Sequence, residues 1–300
     1  MKKYIFSLLL GAITLSSCQK ISFEESESPN ESNTKIMSFI LSGFSISSLK
    51  EMQPEDNSES RATTNQNDYT DNLLLGIYDM NGNLIDEIQY QNKSESGINY
   101  GTFSHTLKYG KYTIIAMGWN GTQQCNVHSL DSITFSEEWV PNTFLCRQNI
   151  IVSESYSETR TLSLKRCVAR FKMILKDDSI PQELNSFVIN FSGAGNSLNS
   201  KTQHCANVTD FYRTIQININ PSKIKDISAY CFLPEDCTEI NISVTAYNAN
   251  DSVITSKTFN NVPMKINYST NYTGIYFPIG SISESVVFET EFDGEFNSEF

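Results

Sequence analysis

The sequence has only three histidines, and they stand apart as His105, His128 and His204. No HExxH or CxxC spacing accompanies them, so the pattern offers no metal site. A GxSxG nucleophile elbow is missing too. The nearest glycine-rich stretch, Ser192-Gly-Ala-Gly195-Asn196, lacks a third glycine and a helix to receive a phosphate, and reads as a loop after a strand. No catalytic residue and no cofactor is implied. Basic residues are also in short supply: 22 Lys and Arg stand against 34 Asp and Glu, for a formal charge of −12. An acidic chain without a basic cluster is repelled by phosphate backbones, which argues against a nucleic-acid partner. Alanine is scarce while Ser, Thr, Asn, Tyr and Ile are abundant, a mixture that favours strands and turns over helices. Beyond the first residues, no apolar run approaches the length that spans a bilayer.

What is present begins at the N-terminus. Lys2 and Lys3 form a short positive region, and Tyr4 to Ile13 is apolar but too short for a stable membrane span. The run ends in Leu15-Ser16-Ser17-Cys18, small residues before a cysteine, as lipoprotein signal peptidases require. Residues 1–17 are therefore expected to be a signal peptide, with Cys18 the lipidated first residue of the mature chain. Acyl chains such as palmitate contribute roughly 0.8 kcal/mol per buried methylene, so two or three anchor a protein without a transmembrane helix. Residues 18–34, rich in Glu, Ser and Asn, read as a flexible tether.

Six further cysteines, Cys125, Cys146, Cys167, Cys205, Cys231 and Cys237, are scattered through the rest. An even number in an exported chain permits disulfides, and Cys231 with Cys237 could close a short loop around Pro234. The alternative is buried free thiols, which suits Cys167 on the apolar face of a strand.

Period-two patterns run through the remainder. Lys35–Ile46 is the first strand candidate, followed by a polar stretch from Ser47 to Tyr69 that contains Arg61. In Asn72–Tyr90, Leu73, Leu75 and Ile77 point one way and Leu74 and Tyr78 the other, as expected of a strand buried on both faces. Asn81-Gly82 predicts a two-residue hairpin turn with a return strand to Tyr90. Gly110–Gly118 is another strong strand. Between Arg160 and Lys176, Cys167, Ala169, Phe171, Met173 and Leu175 share a face opposite Arg166, Arg170, Lys172 and Lys176. Leu162 and Leu164 lie in the opposite phase, which predicts a bulge or bend near Lys165. Phe187/Ile189/Phe191, Ile215/Ile217/Ile219 and Ile240/Ile242/Val244/Ala246 repeat the one-face pattern, and Asn248–Asp251 marks a turn. At the C-terminus Val286, Phe288, Thr290, Phe292, Gly294, Phe296, Ser298 and Phe300 alternate with a mostly acidic face. That segment reads either as the last strand of its own sheet or as a donor strand that docks on the edge of another subunit. Arg61 and Arg160, in polar surroundings, are candidate protease cleavage sites.

The chain resembles the FimB/Mfa-type fimbrillin superfamily, the lipoprotein subunits of Bacteroidales type V pili. The resemblance rests on Leu73–Leu84 (LLLGIYDMNGNL), Tyr109–Asn120 (YGKYTIIAMGWN), Leu164–Leu175 (LKRCVARFKMIL) and Val262–Phe277 (VPMKINYSTNYTGIYF), with the lipobox and tether. It implies an all-β fold of two tandem antiparallel transthyretin-like β-sandwiches, expected over residues 35–155 and 156–300, the terminal strand being 286–300. It also implies a non-enzymatic fimbrial subunit on the cell outer membrane, lipid-anchored and surface-exposed, whose partners are other fimbrial subunits. In such pili, stalk precursors are cut in a loop after their first strand, and the opened groove accepts a strand from the next subunit; anchor subunits keep their lipid. Here the first strand would be Lys35–Ile46, the cut loop Ser47–Tyr69 with Arg61, and the donor Val286, Phe288, Phe292, Phe296 and Phe300. The reading favours an anchoring or accessory component, with a stalk or tip subunit cleaved near Arg61 as the alternative. Asp131-Ser132-Ile133, Asp178-Ser179-Ile180 and Asp251-Ser252-Val253 resemble the O-glycosylation signal of the same bacteria. A second class of function is a surface carbohydrate-binding lipoprotein, with Trp119, Tyr109 or Tyr112 as stacking platform and a host or bacterial surface ligand. A hydrolase built on a carboxylate pair brought together by folding is a third.

Mass spectrometry of the mature protein tests the reading of the N-terminus. The expected first residue is an acylated Cys18. A start after Arg61 identifies a cleaved stalk or tip subunit instead, and an unprocessed Met1 contradicts both.

Overall fold

The computed structural model describes residues 33–42, 70–137, 139–277 and 295–299. Residues Thr34–Phe300 form one compact unit. Its strands, in chain order, begin with β1 (Thr34–Ser42), β2 (Asn72–Tyr78) and β3 (Gln89–Asn92). A single helical turn, Lys93–Ser96, follows, capped by the Asn92 side chain accepting from the Ser94 N–H. Next come β4 (Thr102–Lys108), β5 (Gly110–Trp119), β6 (Cys125–Ser129), β7 (Ser132–Phe135) and β8 (Thr143–Val152). The chain continues through β9 (Thr159–Ser163), β10 (Lys165–Arg166), β11 (Ala169–Leu175), β12 (Leu184–Ser192), β13 (Leu198–Asn199) and β14 (His204–Cys205). The last are β15 (Phe211–Gln216), β16 (Asp226–Cys231), β17 (Glu239–Asn248), β18 (Val253–Pro263), β19 (Ser269–Gly274) and β20 (Glu295–Glu299). The fold is all-β, as the composition implies.

Two sheets make the first sandwich. One has the order β4-β1-β9 and the other β10-β8-β5-β2-β3. Their facing side chains form one core cluster: Met37, Phe39, Leu41, Phe103 and Leu162 from the first, and Leu73, Leu75, Ile77, Ile114 and Ala116 from the second. The opposite faces of β2 and β5 are also buried. Leu74, Tyr78, Ile115, Met117 and Trp119 belong to a second cluster, which includes Phe135 of the small sheet β14-β13-β7-β6. The two phases of leucine in β2 are thus two cores, one on each side of the strand. Gly118 allows β5 this crowding, because a Cβ there would stand 2.8 Å from Thr70 Cγ2 and 3.0 Å from Leu73 Cδ2.

The second cluster continues between the sheets β16-β11-β19-β20 and β15-β12-β17-β18. Phe171, Met173, Ala229 and Tyr272 face Phe187, Ile189, Phe191, Ile242 and Val244 there. The one-face patterns of β11, β12 and β17 are therefore buried as read. Ile215 and Ile217 are half-buried, and Ile219 lies beyond β15 and is 58% exposed. Most ladders are antiparallel, but β1–β9, β11–β19 and β19–β20 run parallel. The change of phase near Lys165 is a change of sheet. β9 pairs with β1, β10 with β8, and β11 with β16 and β19. Leu162 and Leu164 thereby enter the first cluster, and Cys167 onwards the second. The expected division at 155/156 precedes β9 and β10, which still pair with the first two sheets.

Two local readings need correction. Asn81-Gly82 is not a two-residue hairpin turn, since only Gly82 takes a positive φ (88°). The Asp79 carboxylate instead accepts from the N–H groups of Asn81 and Asn83, both at 2.8 Å, and the Asp79 N–H reaches the Asn83 carbonyl at 2.9 Å. This wider loop delays the return strand to Gln89, leaving one bridge at Tyr78–Leu84. Arg160 is not in an open loop. It lies half-buried in β9, in register with Phe39, its guanidinium 5.4 Å from the Tyr156 ring centre. Of the three Asp-Ser triplets, 178–180 lies in a loop, 251–253 runs from a turn into β18 and 131–133 from a turn into β7; Ser179 and Ser252 are exposed and Ser132, in β7, is half-buried.

The six described cysteines are unbridged. Cys231 points into the core, while Cys237 is half-buried and donates its thiol to the Glu239 carbonyl at 3.3 Å, so the loop around Pro234 is closed by a hydrogen bond from the Cys237 N–H to Pro234 O. Burial pushes the Cys125 thiol up to about 12, and raises Cys167 and Cys231 as well. Because the thiolate is the nucleophile, these three stay protonated and unreactive at mildly alkaline pH. Iodoacetamide at pH 8 is expected to leave all three unmodified in the native protein and to label them in guanidinium. Native labelling at the rate of an exposed thiol contradicts the packing.

Candidate functional site

Sequence reasoning places function at strand edges, so the strands that could leave or be added define the site. The first is β1. Alternation along it puts Met37, Phe39 and Leu41 inward at full burial and leaves Ile36 and Ile40 outward, 64% and 37% exposed. It is the middle strand of its sheet. Thr34–Ile40 pair antiparallel with Lys108–Thr102 of β4, and Ser38–Ser42 pair parallel with Thr159–Ser163 of β9. Further bonds fasten it at its middle and both ends: Ser38 N–H to Glu158 O at 2.7 Å, Leu41 N–H to Gly101 O at 2.8 Å, and Lys35 Nζ to the carbonyls of Glu154 (3.1 Å) and Tyr156 (2.5 Å). Without β1, two strands would face each other across an apolar groove with unpaired backbone on both walls, a costly arrangement.

The second is the end of the chain. β19 is buried over Ser269–Tyr272 and lies between β11 and β20, parallel to both. Tyr272 packs against Phe259 and Phe171, with ring centres 4.7 and 5.7 Å apart. Past β19 the chain is pinned. The Asp177 carboxylate accepts from the N–H groups of Tyr276 (2.9 Å) and Phe277 (2.5 Å), and the Tyr276 hydroxyl donates to Val244 O at 2.7 Å. Burial raises the Tyr276 phenol, keeping it a donor. β20 then occupies the edge of the sheet, Ser269–Thr273 in register with Glu295–Glu299. Parallel neighbours need a connection of a dozen or more residues, which 275–294 provide.

Of the residues singled out in the sequence, Phe296 lies in β20, its Cα opposite Thr270. Cys18, Arg61, Val286, Phe288, Phe292 and Phe300 lie outside the described residues. Trp119 and Tyr112 are not stacking platforms. Trp119 is 2% exposed, its indole N–H donating to Gln123 O at 2.8 Å, and Tyr112 is 8% exposed, its hydroxyl donating to Lys108 O. Both stand in β5, which is covered on both faces. Tyr109 remains exposed at 40%, in the turn before β5. Sequence reasoning missed a cleft elsewhere, beside Trp139 and Tyr212, whose residues are far apart in the chain. Among the described residues no group of three His, Cys, Asp or Glu could hold a metal ion, and no helix is long and apolar enough to cross a membrane.

Comparison with known proteins gives one family. Residues 44–299 match the profile described as "Family of unknown function (DUF6562)". No curated protein matches the sequence. Similar solved structures include a protein described as a candidate adhesin from Bacteroides ovatus (9% identity, 76% of each chain covered, TM-score 0.48). A fimbrial assembly protein from Parabacteroides distasonis is another (12% identity, 81% of this chain and 91% of that one, TM-score 0.41). A third is the fimbrial anchor protein Mfa2 from Porphyromonas gingivalis (12% identity, 75% and 82%, TM-score 0.37).

The packing of β1 is testable by substitution. Phe39→Ala is expected to cost about 3–5 kcal/mol, as for other large-to-small core changes. Ile36→Ala, one pleat away on the outer face, should stay within about 0.5 kcal/mol. Denaturant unfolding of the two variants measures the difference, and equal effects contradict the placement of β1.

Proposed function

The chain belongs to the family of unknown function DUF6562, and from that premise we propose that it is a non-enzymatic lipoprotein subunit of surface fimbriae, an anchoring or accessory component assembled by strand addition. In this reading residues 1–17 are removed, Cys18 carries the lipid, residues 18–34 are the tether, and two sandwich domains follow, expected to divide at 155/156 although β9 and β10 pair back with the sheets of the first. The protein is held on the outer membrane and faces outward, and its partners are the other fimbrial subunits. The motifs quoted above support the family resemblance, and the all-β fold accommodates the mechanism.

One observation carries the anchoring role. β1 fills the middle of its sheet with all three inward side chains buried. A chain in that state offers no open groove at this sheet to accept a strand. In this reading it still gives one: residues 295–299, which pair with β19 of their own sheet as β20, would leave that edge to dock on a neighbouring subunit. A subunit that donates without accepting terminates a fibre, and a lipid at Cys18 would tie that terminus to the membrane. Main-chain hydrogen bonds would supply the affinity of the donated strand, and its alternating Val286, Phe288, Phe292, Phe296 and Phe300 the specificity. Cleavage near Arg61 would release β1 and convert the same chain into an acceptor, which is the stalk or tip reading.

Two variants in the native organism test this. Removing residues 286–300 should abolish incorporation into fibres while leaving the protein folded. Cys18→Ala should release fibres into the medium. Normal incorporation of the truncated chain contradicts strand donation, and fibres retained on cells by Cys18→Ala contradict anchoring.

A further inference from the structure

A cleft of about 730 Å³ opens between the β6–β7 hairpin and β15, two elements that belong to different sheets. Asn126 and Thr134 line it from the hairpin, Tyr212 and Thr214 from β15, and Glu137 and Trp139 from the segment after β7. From these residues we propose that the cleft is a binding site for a neutral glycan, with the Trp139 indole as its stacking platform.

The indole is held from two sides. Its Nε1–H donates to Glu137 Oε2 at 2.7 Å, and the Arg213 guanidinium carbon sits 4.2 Å from the ring centre. Arg213 is itself tied down by a bond from Nη1 to the Ser228 carbonyl at 3.0 Å, and it is not among the residues that line the cleft. The cation thus covers one face of the ring, which leaves the other as the face a ligand in the cleft would stack on, and these two contacts fix the indole before any ligand arrives. Tyr212, 58% exposed on the outer face of β15, adds a second aromatic surface.

Beside the aromatic rings of Phe135 and Phe211 and two carboxylates, the lining is amide and hydroxyl (Asn126, Thr134, Ser136, Asn196, Thr209 and Thr214), with His128 held to Thr134 Oγ1 at 3.0 Å. Such groups match sugar hydroxyls, and an aromatic face matches the C–H face of a pyranose ring. Among the described residues the lining holds the carboxylates of Glu137 and Asp210 but no lysine or arginine. The two carboxylates disfavour phosphorylated, sulfated and uronic-acid ligands, since the nearby Arg213 is covered by the Trp139 ring and already faces Glu137. The volume lies in the range of small-ligand sites.

The test uses the full mature chain on an array carrying neutral glycans, acidic glycans and extended peptides. At least one neutral glycan is expected to bind. Trp139→Ala should then lower affinity at least tenfold while Trp139→Phe, which keeps an aromatic face, retains binding. Trp139 and Trp119 are the two tryptophans of the chain, and Trp119 is buried, so a bound glycan should also shift the emission of Trp139 and protect it from acrylamide quenching. Binding only of acidic glycans or of peptides, no binding to any neutral glycan, or unchanged glycan affinity in a folded Trp139→Ala variant each overturns the proposal. Fimbrial assembly plays no part in these readouts, so they stand apart from the proposed function.

Discussion

The satisfied backbone of β1 is the constraint from which the rest of the first sandwich follows. A β-strand in the middle of a sheet hydrogen-bonds along both edges, and each amide left without a partner in a buried setting costs on the order of 1–3 kcal/mol. β1 meets this demand through β4 on one side and β9 on the other. Its neighbours lie more than fifty residues downstream in sequence, and residues 43–71 separate it from β2. A strand so placed is essential to the sheet yet covalently peripheral to it. A strand held by hydrogen bonds along both edges is the kind of element that the proposed strand-exchange assembly would replace.

The second organising feature is double burial. β2 and β5 face two cores, so the sheet that closes the first sandwich also roofs part of the second cluster. Losing β1 would open one face of this sheet and leave the other packed. The change of sheet between Ser163 and Ala169 continues the theme, because a single stretch of chain contributes Leu162 and Leu164 to one cluster and Ala169 and Phe171 to the other.

Much of this was written in the alternation of apolar residues. The two-phase leucines of β2, the phase change at Lys165 and the one-faced β11, β12 and β17 follow directly from a period of two, which is a local property. What needed the fold was non-local. No pattern indicates that β1 runs parallel to β9, or β11 to β19, because parallel partners leave no turn signature between them. Asn-Gly misled because the Asp79 side chain, two residues earlier, captures the amides of Asn81 and Asn83 and builds a wider loop. Trp119 misled because an aromatic next to Asn-Gly looks exposed in sequence, whereas β5 is covered on both faces. The Trp139 cleft was illegible for the opposite reason: Asn126, Trp139 and Tyr212 meet only when two sheets come together. Of the residues marked for strand donation the structure describes Phe296 alone, in β20.

The most direct measurement asks whether the β1 position accepts a separate strand. A specific protease site placed at Arg61 would cut the purified chain, and a fluorescent peptide of residues 33–46 would be added in excess under native conditions. The account predicts that labelled peptide replaces β1 and comigrates with the folded protein, and that an unlabelled peptide with Phe39→Ala competes poorly. A cut chain that stays folded, keeps its own β1 indefinitely and takes up no label would contradict it.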